Sequence, residues 1–175
     1  QVKKEYSKVD WFRNKEWSVE IETAFFERLK RSRDKGQHLK IQAYYLSEIL
    51  PEVSLRLIND NFKLLSNIDL SSAYRNMAQA YITIKNFEKA ISSFESALAQ
   101  EEIYPNSLTD SWISFPYFIV SQELINYYNR AKEVLVKYKK RNNETPIENF
   151  KYNACHSLIA LENGNKEEAK IIAKN

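Results

Sequence analysis

Cys155 and the adjacent His156 are the residues of this 175-residue sequence whose types and spacing first suggest chemistry. A thiol beside an imidazole is the pairing of a nucleophile with its general base. Neighbouring residues on a helix, however, point about 100° apart, and a nucleophile has to face its base, so this dipeptide reads as packing. His38 is the second of the two histidines. The sequence carries no Gly-rich phosphate loop, no HExxH, no GxSxG and no EF-hand loop. No catalytic residue, metal ligand or cofactor is therefore expected, and the chain reads as a non-enzyme.

Cations offer a second chemistry. The run RLKRSRDKGQHLK, from Arg28 to Lys40, holds six basic residues and one acid, and KYKKR at 137–141 is another basic cluster. Either could contact phosphates. Each falls mostly at the end of an expected helix, where cations complement the carbonyl end of the dipole and stay solvated, and that reading is preferred. The net charge of +3, from 26 basic and 23 acidic residues, is well short of a nucleic-acid coat.

The elements that must hold these residues are helices. Two glycines and four prolines leave few positions suited to tight β-turns, while Leu, Ile, Ala, Glu and Lys are abundant. An all-α chain large enough to bury a core follows. The single cysteine excludes an intrachain disulfide and fits a reducing compartment, so the expected location is the cytoplasm. No apolar run of signal-peptide length occurs in the first twenty residues, and no stretch of about 18 apolar residues occurs anywhere, so no membrane is expected as a partner.

The stretch NFEKAISSFESAL, Asn86 to Leu98, places Ala90, Phe94 and Ala97 on one stripe, two small residues around one ring. Upstream, Tyr74, Met77, Ala78 and Tyr81 form another stripe, and the link from Thr83 to Asn86 allows only an antiparallel hairpin. Aligning on the small residue, Ser54, Ala90, Ala131 and Ala169 recur at intervals of 36, 41 and 38 residues. The partner first helices are expected over Leu39–Ile49, Ser71–Ile84, Trp112–Ile125 and Pro146–Glu162. Candidate caps are Asp69 or Ser71, Ser107 to Asp110, and Thr145, with Gly164 closing the last of these helices. Ser18 to Arg33 makes a further amphipathic helix, and Trp11 and Trp17 ahead of it either fold back as a cap or anchor a partner.

On these residues the chain resembles the tetratricopeptide repeat (TPR) family. Ser71 to Glu102 fits the family pattern through Tyr74, Met77, Ala78, Tyr81, Ala90, Phe94 and Ala97, and the flanking units are degenerate, with Ser54 in place of alanine and Phe118-Ile119 in place of a large-then-small pair. The resemblance implies a right-handed solenoid of antiparallel helix pairs over residues 37–175, continuous as one domain, behind an N-terminal extension and capping helix at 1–36. It also implies a concave groove lined by the first helices, here Lys40, Arg75, Asn76, Gln79, Tyr117, Val120, Glu123 and Lys151. The expected ligand is a protein, as a peptide or helical segment. Alternatives are a dedicated regulator or immunity-type protein that neutralises one partner, and an RNA-binding helical repeat. The helix Asn165 to Lys174 has no polar cover, so either more chain follows it or Ile171 and Ile172 meet a second copy.

Overall fold

A computed structural model describes residues 11–142 and 145–173, and among them every regular element is helical. Nine α-helices follow one another as α1 Val19–Arg31, α2 Lys35–Leu46, α3 Pro51–Asp60, α4 Asn67–Thr83, α5 Phe87–Ile103, α6 Ser111–Ser121, α7 Tyr128–Tyr138, α8 Pro146–Glu162 and α9 Lys166–Ile172. The sequence pattern anticipates each of them. Its boundaries err mainly where turns compete: the helix expected from Leu39 begins four residues earlier, and the one expected to reach Ile125 stops at Ser121. Part of the N-terminal extension, residues 1–10, and Lys174 at the end of the last expected helix lie outside the described residues.

The chain gathers into two compact units, one ending at Thr109 and the other beginning at Asp110. In the first, α2 packs on α3 and α4 on α5, while α4 also meets both α2 and α3. Its core joins Phe25, Leu29, Leu39, Leu46 and Leu57, with Ala43, Ile58 and Ala73 forming a second cluster. Small residues sit at the close approach within pairs. Ala90 and Ala97 are fully buried, and the Ser54 hydroxyl donates to the Ala43 carbonyl at 2.8 Å, so a serine at the alanine position satisfies itself on the facing helix.

Trp11 and Trp17 fold back over α1. Their rings lie 5.5 and 5.6 Å from that of Phe25, and the Trp17 indole N–H donates to Glu22 at 2.8 Å. The preceding segment is clasped to α2 by amides: Asn14 N–H and Nδ2 donate to Gln42 Oε1 at 3.0 and 2.8 Å, and Gln42 Nε2 returns a bond to the Asn14 carbonyl at 2.7 Å. Of the two roles open to these tryptophans, covering the first helices is the one observed.

In the second unit α6 packs on α7 and α8 on α9, and α8 also meets α6 and α7. Every residue of α6 from Ser111 to Val120 except Tyr117 is buried. Three first helices, α4, α6 and α8, end alike. A residue with left-handed backbone follows each, Lys85 (φ 59°), Glu123 (φ 53°) and Gly164 (φ 82°). In each turn the next N–H bonds back five residues, from Asn86 to Tyr81, Leu124 to Ile119 and Asn165 to Ala160. The left-handed residue itself bonds back three, which completes a Schellman motif each time. The hairpin turn thus repeats even where sequence similarity between the pairs is weak.

Candidate functional site

The first unit contains a groove of about 310 Å3 with three walls. Lys40, Ile41 and Tyr44 of α2 form one, Ser72, Arg75 and Asn76 of α4 another, and Leu108 and Thr109 of the following loop the third. The helical walls arise from spacing, since Lys40 and Tyr44 are four residues apart and Ser72 and Asn76 likewise, placing each pair on one face.

Two first helices are locked together along this groove at a constant offset. Asn76 Nδ2 donates to the Lys40 carbonyl at 2.8 Å, and the Thr83 hydroxyl, its one proton shared with the Gln79 carbonyl at 3.0 Å, reaches the Ser47 carbonyl at 3.3 Å, both pairs being 36 residues apart. The Lys40 ammonium sits 2.7 Å from Asp69. Burial pushes the Asp69 carboxyl up, but Lys40 and the hydroxyl and N–H of Ser66 outweigh it and hold the group below its usual value. Asp69 also closes the N-terminus of α4, in a capping box with Ser66. The close approach needs Gly36, where a Cβ would come 2.5 Å from Asp69 Oδ2 and 2.7 Å from the Leu64 carbonyl.

The loop wall is tied down from beneath. Glu101, fully buried on α5, accepts from the Thr109 N–H at 3.0 Å and from its hydroxyl, and the Ser71 hydroxyl donates to the Ser107 carbonyl. Leu108 is thereby presented with 51% of its surface exposed, across from Tyr44 at 63%. Between them Arg75 lies 5.4 Å above the Phe94 ring and 3.4 Å from Gln79 Oε1. The result is a fixed, mostly apolar trough with a guanidinium and amide floor, suited to an extended or helical segment with an apolar anchor and a polar or acidic neighbour.

Of the eight residues expected to line a groove, Lys40, Arg75 and Asn76 border this one, and Gln79 lies one turn beyond Arg75. Lys40 and Asn76 spend their polar groups on the neighbouring helix, so they shape the groove more than they offer charge to a ligand. In the second unit Tyr117 is half-buried, its ring 6.2 Å from that of Phe150 and 5.6 Å from the Lys151 ammonium, which also reaches Ser114 at 3.4 Å. Val120 is only 2% exposed and belongs to the interior, because α6 buries nearly its whole circumference. Glu123 is exposed but lies in the turn after α6, in its left-handed position, and so is not on the helix face where it was expected. Sequence reasoning missed Ile41, Tyr44, Ser72, Leu108 and Thr109. The four-residue step from Lys40 to Tyr44 was a usable signal for one of them, whereas nothing in the sequence aims a loop leucine.

Cys155 is fully buried, and burial pushes its thiol up to about 12, with the Lys151 charge acting weakly the other way. The His156 ring packs 4.4 Å from Tyr152, and burial, with the charges of Lys132 and Lys139, pushes its pKa down. A thiol held protonated, next in sequence to an imidazole that packs against another ring, is a poor nucleophile. Among the described residues no three His, Cys, Asp or Glu come close enough to hold a metal ion, and no helix is long and apolar enough to cross a membrane. Comparison of the chain with protein-family models, with curated proteins and with solved structures gives no match.

Proposed function

We propose that this chain is a non-enzymatic, cytoplasmic protein-binding module, a TPR-like solenoid of helix pairs that recognises a peptide or helical segment of a partner through the groove on α2 and α4. The observation that carries this reading is the exposure of Tyr44 and Leu108 over a floor whose positions are fixed by the Asn76–Lys40 bond and the Lys40–Asp69 pair. A site of this kind needs little reordering on binding, which lowers its entropic cost. The TPR-like reading is supported by the repeated Schellman turns and by the 36-residue offset of the bonds between α2 and α4.

Selection of a displayed random-peptide library on the chain tests this reading. The expected outcome is a family of sequences with a shared apolar anchor, whose binding moves the amide resonances of Tyr44, Arg75 and Thr109. Selected peptides that perturb only residues outside α2, α4 and the 104–109 loop would reject the groove as the site. Binding of RNA to Lys139, Lys140 and Arg141, lost steeply with salt while no peptide is selected, would favour the nucleic-acid alternative.

A further inference from the structure

The N-terminal cover leaves a second cavity, separate from the groove on α2 and α4. It measures about 210 Å3 and lies between Trp11 and α1, lined also by Asn14, Glu20, Ile21, Ala24, Phe25 and Arg28. Ile21, Ala24, Phe25 and Arg28 stand at i, i+3, i+4 and i+7 and so share one helix face. The lining is mostly apolar, and Ala24 keeps the space open, its methyl being the smallest side chain on that face. Trp11 and the buried Phe25 make a corner, with ring centres 5.5 Å apart and planes inclined at 46°. Two rings tilted in this way offer a third ring both a face and an edge. The volume exceeds the about 150 Å3 that admits benzene to an apolar core, so one ring with a short tail fits and a long chain does not.

The polar groups decide the tail. Asn14 spends its amide hydrogens on the Trp11 carbonyl and on Gln42 Oε1, both at 2.8 Å. Two charges remain, Glu20 and Arg28, eight residues and hence about 12 Å apart along α1. Glu20 already accepts from the Ser18 hydroxyl at 2.7 Å, in the first turn, where the helix dipole favours its charge. The Arg28 side chain pairs with no described carboxylate. It also opens residues 28–35, which hold five cations against one acid, so even with Lys30 paired to Glu27 the potential at that end attracts an anion. We propose that this cavity binds a small aromatic carboxylate, its ring in the Trp11–Phe25 corner and its carboxylate on the Arg28 guanidinium. The planar fork of the guanidinium matches a carboxylate, and Glu20 repels one from the other end. Because Trp11 belongs to the cover, a ligand bound here also holds the cover against α1.

Chemical-shift titration of the whole chain with phenylacetate tests the proposal. Saturable shifts are expected at the Trp11 indole N–H and the Ala24 and Arg28 amides, with phenylacetamide and phenethylamine binding at least about tenfold more weakly. Arg28→Gln should lower the phenylacetate affinity by about tenfold and bring the acid level with the amide. Ala24→Leu puts a good helix former at an exposed position, and it should abolish the shifts at unchanged melting temperature. Phenylacetate should also slow amide exchange over residues 11–18. An absence of saturable shifts, binding unaffected by either variant, or tighter binding of the amine would overturn the proposal. So would a peptide ending in phenylalanine that binds more tightly than phenylacetate, which would make a protein terminus the ligand. Nuclear Overhauser contacts in the unliganded chain from side chains of residues 1–10 to the Ala24 methyl would overturn it too, by making the chain's own segment the occupant.

Discussion

The Lys40 ammonium and the Asp69 carboxylate lie 2.7 Å apart, joining the first helices of two successive pairs beside the groove. Asp69 is nearly buried, and an asparagine there keeps only one acceptor oxygen, so either the Lys40 contact or the Ser66 cap is lost. Asp69→Asn is expected to cost about 2–3 kcal/mol near neutral pH. The folded carboxyl lies below its ordinary value of 3.8, so its stabilisation is complete above that value and is lost as pH falls through the lower, folded one. Urea denaturation should therefore show wild-type stability falling below about pH 4, with a flatter profile for the asparagine variant. Parallel profiles would remove the pair from the account.

The amide clasp between Asn14 and Gln42 holds the N-terminal cover of the first unit. Gln42→Ala leaves the Asn14 groups buried without their partner, at a cost of about 1–3 kcal/mol. Hydrogen exchange should rise first at residues 11–18 and in α1, and Trp11 and Trp17 fluorescence should shift to the red. Unchanged fluorescence would mean that Phe25 and His38 hold the cover without the clasp.

The turns give a prediction of opposite sign. Lys85 and Glu123 occupy left-handed positions that glycine takes without steric cost, and both side chains are exposed. Lys85→Gly and Glu123→Gly should each raise stability by about 0.5–1 kcal/mol, measured by thermal melting, despite the entropy glycine adds to the unfolded chain. Gly36→Ala should do the reverse and cost at least about 1–3 kcal/mol, since its Cβ meets a backbone carbonyl that cannot retreat.

The register of the clearest pair is tested by Ala90→Leu, which overpacks a fully buried contact at about 1–3 kcal/mol, against Lys89→Ala on the exposed side. Equal melting temperatures would refute that register.

These residues also mark how much was legible in advance. Ala90, Phe94 and Ala97 announced their face because periodicity is a local property of the chain, and all three are fully buried. Thr145 was recognisable as a cap for the same reason, since its acceptor role reaches only to Glu148. Asp69 was noticed as a capping candidate, but its ion pair with Lys40 is not local and no spacing rule announces it. Val120 was assigned to a groove because one open face was assumed for every first helix, whereas α6 is apolar nearly all round and is buried over all but Tyr117 and its last residue. The groove's third wall depends on Glu101 and Ser71 holding a loop, a tertiary arrangement with no pattern in sequence.

The groove is tested most sharply by a calorimetric titration of a library-selected peptide into the wild-type chain and into the Tyr44→Ala, Arg75→Ala double variant. The groove account predicts a loss of more than about 2 kcal/mol, about 30-fold in affinity, with the helical signal retained, while replacing Lys139, Lys140 and Arg141 by alanine changes peptide affinity little. Equal affinity for wild type and the double variant, or a loss confined to the basic-cluster variant and steeply dependent on salt, would contradict it.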